Sequence, residues 1–300
     1  MAIWRSFWKG CKRATALWPV VLLLYLVETA LALVMAVPPA AQLAGVFGHS
    51  AMAPDLLGPI TLDWLMEAEG NGDATFFPWP LYLLGPLLFL LLGTFLRGGT
   101  LGAIVWGAPP FRWTAFFSDC ARFFWGFLFL LFFFLPGLIV VGLIFLGLNL
   151  LLVLVPSSGS TELVVTGLRA AALPFLLFLL LMAVDYARVS LVLAPERSLW
   201  RHAGRAVSFT VRRFPQVALL GLAFVLVAAL FGALYPALLQ IPVVAGSVFL
   251  APLLQQLSML LLSWQRVASL GAEVALYREG QGLPLPPRRG VNMPEGTFTG

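Results

Sequence analysis

A basic, aromatic motif stands at Trp4-Arg-Ser-Phe7-Trp-Lys-Gly-Cys11-Lys-Arg13, and it recurs at Trp113-Thr-Ala-Phe116-Phe-Ser-Asp-Cys120-Ala-Arg122. Both copies read W-x-x-F-x-x-x-C-x-R, and each comes directly before a long apolar run. A degenerate third copy, Val207-Ser-Phe-Thr-Val211-Arg-Arg213, keeps the spacing of the last three positions and also precedes an apolar run. This recurrence predicts three similar helical hairpins, each entered through a basic segment at a membrane surface.

The composition of the chain indicates an integral membrane protein. Hydrophobic residues make up 61% of its 300 residues and charged residues only 10%, with a mean hydropathy of +0.96. An average soluble domain has about 25% charged residues, so this chain could not cover a surface exposed to water. Several apolar runs reach the roughly 20 residues that cross a bilayer as a helix. We therefore predict an all-α, polytopic membrane protein.

Six transmembrane helices are predicted from the apolar runs, within one domain that covers residues 1–280. They span residues 16–37, 80–96, 123–155, 163–184, 214–239 and 247–265. The third run exceeds one crossing and could be two helices that break at Pro136-Gly137. Because no polar turn divides it, one long helix kinked at Pro136 is preferred. An outer loop covers residues 38–79, and the Gly- and Pro-rich tail at 281–300 is predicted to be disordered.

The distribution of basic residues predicts the orientation of these spans. All of the 18 Lys and Arg residues except Arg169 lie before span one, between spans two and three, between spans four and five, or after span six. The outer loop at 38–79 contains acids but no Lys or Arg. Both termini are therefore expected in the cytoplasm, and the protein is expected in a bacterial inner membrane.

Basic amphipathic surface helices are expected between the spans on the cytoplasmic side. Each returning helix also ends at an arginine that could reach the interface by snorkelling, as at Arg188. Since these basic residues lie at the ends of spans, the expected partners are anionic lipid headgroups and, beyond them, protein partners, not nucleic acid. The candidate interfacial or headgroup contacts are Trp4, Arg13, Trp113, Arg122, Arg188, Arg201, Arg205 and Arg213.

Glu28 and Arg169 are the candidate polar pair inside the membrane. Glu28 is the one acid deep in a predicted span, where charges are costly and usually face the interior of the bundle. At about 1.5 Å of rise per residue, Arg169 enters from the outer end of span four to a similar depth. An ion pair is therefore expected, either as a structural clamp or as a site for a proton or a transported substrate.

No catalytic or cofactor-binding motif is recognisable in the sequence. The two histidines, His49 and His202, are expected on opposite sides of the membrane, so they cannot share a metal site. Neither a P-loop nor a G-x-G-x-x-G motif occurs. The two cysteines, Cys11 and Cys120, are expected to be reduced and buried. We therefore predict a protein that is not an enzyme and holds no metal or cofactor.

The connector from Asp185-Tyr-Ala-Arg188 to Arg213-Phe-Pro215 is a basic amphipathic stretch that leads into the next span. It resembles a broad group of bacterial six-helix integral membrane proteins of uncharacterised function, which includes the membrane domain found beside some glycerophosphodiester phosphodiesterases. The resemblance covers about the second half of the chain and implies six helices, with no catalytic motif. We predict a non-enzymatic membrane component that acts through lipid or protein partners. The alternative is a small-molecule or lipid transporter with a polar site around Glu28 and Arg169.

Overall fold

The structure, a computed structural model, describes residues 2–47, 79–107, 111–153, 160–194, 198–241, 247 and 249–283. These parts of the chain form eight helices. The helices are α1 (Ala2–Ala16), α2 (Trp18–Phe47), α3 (Trp79–Trp106), α4 (Trp113–Val153), α5 (Ser160–Leu193), α6 (Leu199–Arg212), α7 (Phe214–Leu239) and α8 (Leu250–Gln281). Most of the outer loop and the tail after Leu283 lie outside the described residues, so the predicted disorder of the tail stays a prediction.

Five helices are long and apolar enough to cross a membrane. These segments are Trp18–Pro38, Leu84–Trp106, Trp113–Leu152, Val164–Leu193 and Phe214–Leu239. They correspond to the first five predicted spans, although every one except the fifth extends beyond the predicted bounds. The sixth predicted span, 247–265, falls in the first half of α8, which is not among the five. Its glutamines and serines, such as Gln255, Gln256 and Ser258, dilute its hydropathy.

The predicted third span belongs to one continuous helix. Helix α4 runs from Trp113 to Val153 with Pro136 inside it, so the preference for one helix over two is confirmed. The second copy of the motif therefore forms the first turns of α4 and is not a separate surface helix. A proline explains the difference, because it disfavours the helical conformation of the residue before it. Pro19 and Pro215 follow the first and third copies closely and stand at the starts of α2 and α7, whereas no proline follows the second copy before Pro136.

The chain divides into two compact units. One consists of Met1–Leu22 and Thr94–Gly300, and the other of Leu23–Gly93. In the second unit, α2 and α3 approach closely at Gly85, where an added Cβ would meet the Sδ atom of Met35. The absence of a side chain at Gly85 therefore allows these two apolar helices to pack.

The core of the first unit is the second half of α8. The amphipathic pattern of the sequence after Arg266 predicts that this helix continues to about Tyr277, and it does, but it is packed against protein and is not an exposed cytoplasmic extension. Val267, Ala268, Ala272 and Leu276 are all buried. Helix α1 lies against this segment, since a Cβ at Gly271 would be only 3.1 Å from the Cα of Gly10. Small residues on both helices thus let the backbones of α1 and α8 come into contact.

The second motif copy packs on the end of α3 in a comparable way. A Cβ at Gly99 would meet Phe116, and one at Gly102 would meet the Asp119 side chain. The first two copies also share a burial pattern in which Gly10 and Cys11 correspond to Asp119 and Cys120. All four of these residues are buried. The two copies differ at the Phe position, where Phe116 is buried and Phe7 is partly exposed, so the repeat stays a prediction.

The third copy has a different register from the one the sequence spacing predicted. Val207 and Val211, aligned with the Phe and Cys positions, are exposed, and Val211 is 69% exposed. Instead, the neighbouring Phe209 and Thr210 are buried. The face of α6 that meets the protein is therefore displaced by about one residue from the predicted alignment.

Candidate functional site

The predicted polar pair lies in two different units. Glu28 is a partly exposed residue of α2 in the unit Leu23–Gly93, whereas Arg169 lies on α5 in the other unit. The Nε atom of Arg169 is buried and has no hydrogen-bond partner among the described residues. Pairing between Glu28 and Arg169 therefore stays a prediction.

Most of the candidate headgroup contacts are accessible at the surface. Trp4, Trp113, Arg122, Arg201 and Arg205 are exposed, with part of the aromatic surface of both tryptophans uncovered. Exposed tryptophan next to arginine is typical of the level of lipid headgroups. Contact of these five residues with headgroups stays a prediction.

Arg188 is a correction to that set. It is only 4% exposed and its Nη1 atom donates to Asp185 Oδ1 at 2.8 Å. A guanidinium enclosed in this way cannot reach a lipid headgroup. Asp185 and Arg188 are three residues apart, a spacing that predicts a pair on one helix face. The pair is present, but it lies inside the protein and not at its surface.

Arg13 is half-buried and caps the end of α3. Its Nη2 atom donates to the carbonyl oxygens of Ala103 at 3.1 Å, Ile104 at 3.0 Å and Gly107 at 2.8 Å. The last carbonyls of a helix lack partners within the helix, and a cation there also interacts favourably with the helix dipole. The basic end of the first motif therefore fixes α1 to α3.

A buried cluster of charged residues ties three helices together. Asp185 on α5 accepts from Arg188 and also from the Nη1 atom of Arg97 on α3, at 3.2 Å. Glu273 on α8 is buried, and the charges of Asp185, Arg97 and Arg188 act on it. Charges enclosed in protein need such partners because the loss of hydration is costly.

These surroundings change the pKa of the Glu273 carboxyl. Burial raises the pKa of Glu273 well above its usual range, and the negative charge of Asp185 acts in the same direction. The guanidinium groups of Arg97 and Arg188 oppose both effects. Burial and the charge of Asp185 therefore favour the neutral form of this carboxyl. Sequence reasoning missed its role because it assigned this stretch to a solvated extension, although Ala272 and Val274 on either side are apolar.

His202 forms a second buried polar contact. Its Nδ1 atom lies 2.9 Å from the Oγ atom of Ser190, so the pair joins α6 to the end of α5. Burial lowers the pKa of His202, which keeps the imidazole neutral. The sequence placed His202 on a surface helix and gave no sign of this contact, because Ser190 lies on another helix.

Helix α6 presents three distinct stripes. His202, Ala206 and Phe209 form the buried stripe that faces the protein. Two further stripes are exposed. The apolar one consists of Trp200, Gly204, Val207 and Val211, and the basic one consists of Arg201, Arg205, Ser208 and Arg212.

The three stripes allow α6 to contact protein, acyl chains and headgroups at the same time. A helix that rests on protein with one stripe can still offer an apolar stripe to acyl chains and a basic stripe to headgroups. Trp200, which is 72% exposed, lies at the start of the apolar stripe. The sequence predicted that residues 194–207 would form an amphipathic surface helix, and the structure adds which side is free.

The described residues offer little for redox or metal chemistry. Among them, no group of three or more His, Cys, Asp or Glu side chains is close enough to hold a metal ion. Cys11 and Cys120 are free thiols, both buried as the sequence predicted, and burial raises the pKa of Cys11. No protein-family model matches the chain, and neither a curated protein nor a solved structure matches it.

Proposed function

We propose that this chain is a non-enzymatic component of a bacterial inner membrane, and that it acts by binding anionic lipid headgroups at its cytoplasmic face. The observation that carries the proposal is the pair of exposed stripes on α6, the apolar one with Trp200 and the basic one with Arg201 and Arg205. The exposed face of α1 supports it, since Trp4, Arg5 and other aromatic and basic residues are uncovered there. Apolar and basic groups side by side match a headgroup layer, where acyl chains and phosphates meet.

The proposal includes six membrane crossings, with α8 supplying the last. Its first half exposes the apolar side chains of Phe249, Leu253 and Leu257. Two of its polar side chains have partners within the protein, as Ser258 donates to the Leu254 carbonyl and Gln265 to that of Phe224. Internal hydrogen bonds reduce the cost of polar groups in lipid. Six crossings are also what the resemblance to the six-helix bacterial membrane proteins implies. They would put both termini on one side, which the basic residues predict to be the cytoplasm.

The proposal also includes three related hairpins. The basic segment of each hairpin packs on the end of the returning helix of another hairpin. The start of α4 packs on α3, α6 packs on α5, and α1 packs on α8. The contacts of Gly10, Gly99 and Ser190 support this relation, because each lies at such a crossing. These contacts join residues on the cytoplasmic side, where the orientation predicted from basic residues places them.

Lipid enrichment measures the proposed function. The full-length protein is extracted into nanodiscs that contain equal amounts of phosphatidylglycerol and phosphatidylcholine, and the lipids retained after detergent exchange are quantified. The triple variant Arg5→Gln, Lys12→Gln, Arg201→Gln removes exposed charges only. Each basic residue near an anionic surface contributes about 1 kcal/mol, so phosphatidylglycerol enrichment is expected to fall several-fold.

A charge-preserving variant is the control. Arg5→Lys with Arg201→Lys should keep the enrichment, and added salt should lower the enrichment of the native protein, since salt screens exposed charges. Equal retention of the two lipids by the native protein would refute the proposal. An unchanged enrichment in the glutamine variant would refute it as well.

A further inference from the structure

A cavity of about 590 Å³ opens between the end of α5, helix α6 and the last turns of α8. Arg205, Arg212 and Arg213 line it together with Ser208, and none of its described lining residues is Asp or Glu. Guanidinium groups repel one another unless an anion lies between them. Their convergence in one concave site therefore indicates an anionic ligand.

The three arginines are held in different ways. Arg213 donates to Gln216 Oε1 at 3.2 Å and to the Gly280 carbonyl at 3.3 Å, which fixes its guanidinium at the wall of the cavity. Arg205 and Arg212 are exposed and form no salt bridge within the described parts of the chain. Two unpaired guanidinium groups next to one that is already positioned leave several N–H donors for a ligand.

The cavity also has apolar lining residues. Leu193 and Leu283 are accessible there, whereas the rings of Phe209 and Tyr277 pack with their centroids 4.8 Å apart and are almost fully buried. The volume is within the range of about 300–1,000 Å³ that holds small organic ligands. An inorganic ion would leave the two leucines uncovered, so the ligand is expected to carry an apolar group next to its charge.

We propose that this cavity binds the phosphate of an amphipathic phosphate ester. Arg205 and Arg212 would hold the phosphate oxygens, because a guanidinium matches phosphate geometry with paired donors. The apolar part of the ester would lie over Leu193 and Leu283. The inference rests on the proposed function and deepens it, since it names the anion recognised at one place on that face. The phosphate can come from a membrane lipid or from a soluble ester.

Two probes distinguish these sources. The first is phenyl phosphate, titrated by calorimetry into the full-length protein in neutral detergent. The second is phosphatidylglycerol, added to phosphatidylcholine nanodiscs that hold the protein. Native mass spectrometry then counts the phosphatidylglycerol molecules that stay bound after the protein is released. The double variant Arg205→Gln, Arg212→Gln is expected to weaken binding of the recognised probe by at least about tenfold, because it removes charge-assisted hydrogen bonds. The variant Ser208→Trp keeps all charges but fills the cavity, and should cause a similar loss.

The matched control is Arg112→Gln, which removes an exposed charge that does not line the cavity. It should leave one-to-one binding intact. If phenyl phosphate binds and only the cavity variants lose this binding, the ligand is a soluble ester. If one phosphatidylglycerol molecule is retained and only the cavity variants lose it, the ligand is a lipid. The proposal is overturned if neither probe binds one-to-one, if both cavity variants bind like the native protein, or if the control weakens binding equally. If the cavity binding fails but the lipid enrichment stays sensitive to Arg5, Lys12 and Arg201, the proposed function stands. If the cavity binding is observed but the lipid enrichment is not, only the proposed function is removed.

Discussion

Replacement of Arg188 by glutamine is expected to lower the free energy of unfolding by about 3–5 kcal/mol, the usual effect of removing one partner of a buried ion pair. The Arg188 side chain is 5% exposed and holds Asp185 at 2.8 Å. Among the described residues, Asp185 would then keep only Arg97 as an ion-pair partner, which lies at 3.2 Å and is 45% exposed. Glu273 would lose a neighbouring positive charge at the same time. The measurement is the thermal unfolding midpoint of the full-length protein in detergent, followed by circular dichroism.

Arg97→Gln is the matched control for this cluster. Since exposed ion pairs contribute only about 0–1 kcal/mol, its effect should be small. The double variant Asp185→Asn, Arg188→Gln should be less destabilised than the sum of the two single variants, because each single change leaves an unpaired charge or dipole. Similar midpoints for Arg97→Gln and Arg188→Gln would contradict the described role of the buried cluster.

Gly10→Ala is expected to separate α1 from α8. An added Cβ would lie 2.7 Å from the Ala272 nitrogen and would also meet the Ala268 carbonyl, and these backbone atoms cannot move without the helix. Overpacking of this kind typically costs about 1–3 kcal/mol. The expected result is a lower unfolding midpoint, together with faster proteolysis of the N-terminal segment.

The same substitution on α6 gives the opposite prediction. A Cβ at Gly204 would meet no atom within 4 Å, so Gly204→Ala should stabilise its helix by about 0.5–1 kcal/mol. Both glycines lie on basic amphipathic helices, which makes the pair a matched comparison. If the two alanine variants shifted the midpoint in the same direction, the close crossing of α1 and α8 would be wrong.

The sequence could predict the helices because their signals are local. Apolar runs marked the first five long helices. The single helix through Pro136 followed from the absence of a polar turn. The bounds were too short because an arginine such as Arg97 was taken as the end of a span, whereas α3 continues to Trp106.

The site was harder to predict because it depends on contacts between distant parts of the chain. Nothing near Glu273 in the sequence shows that Arg97 and Asp185 surround it. Arg188 was assigned to the lipid surface for the same reason, since snorkelling arginines and buried arginines look alike in an apolar helix. The amphipathic character of α6 was predictable from spacing, but the register of its buried face was not, because the match to the motif at Val207 and Val211 was degenerate.

The central claim is that α6 lies at the headgroup level with its apolar stripe toward acyl chains and its basic stripe toward phosphates. Spin labels introduced singly along residues 200–212, with Cys11 and Cys120 replaced by alanine, test it in phosphatidylglycerol-containing bilayers. Collision rates with lipid-soluble oxygen should peak at 200, 207 and 211, and those with a water-soluble nickel complex at 201, 205 and 212, while 202, 206 and 209 respond to neither. If labels at 207 and 211 met the nickel complex as often as those at 201 and 205, α6 would lie in bulk water and the claim would be contradicted.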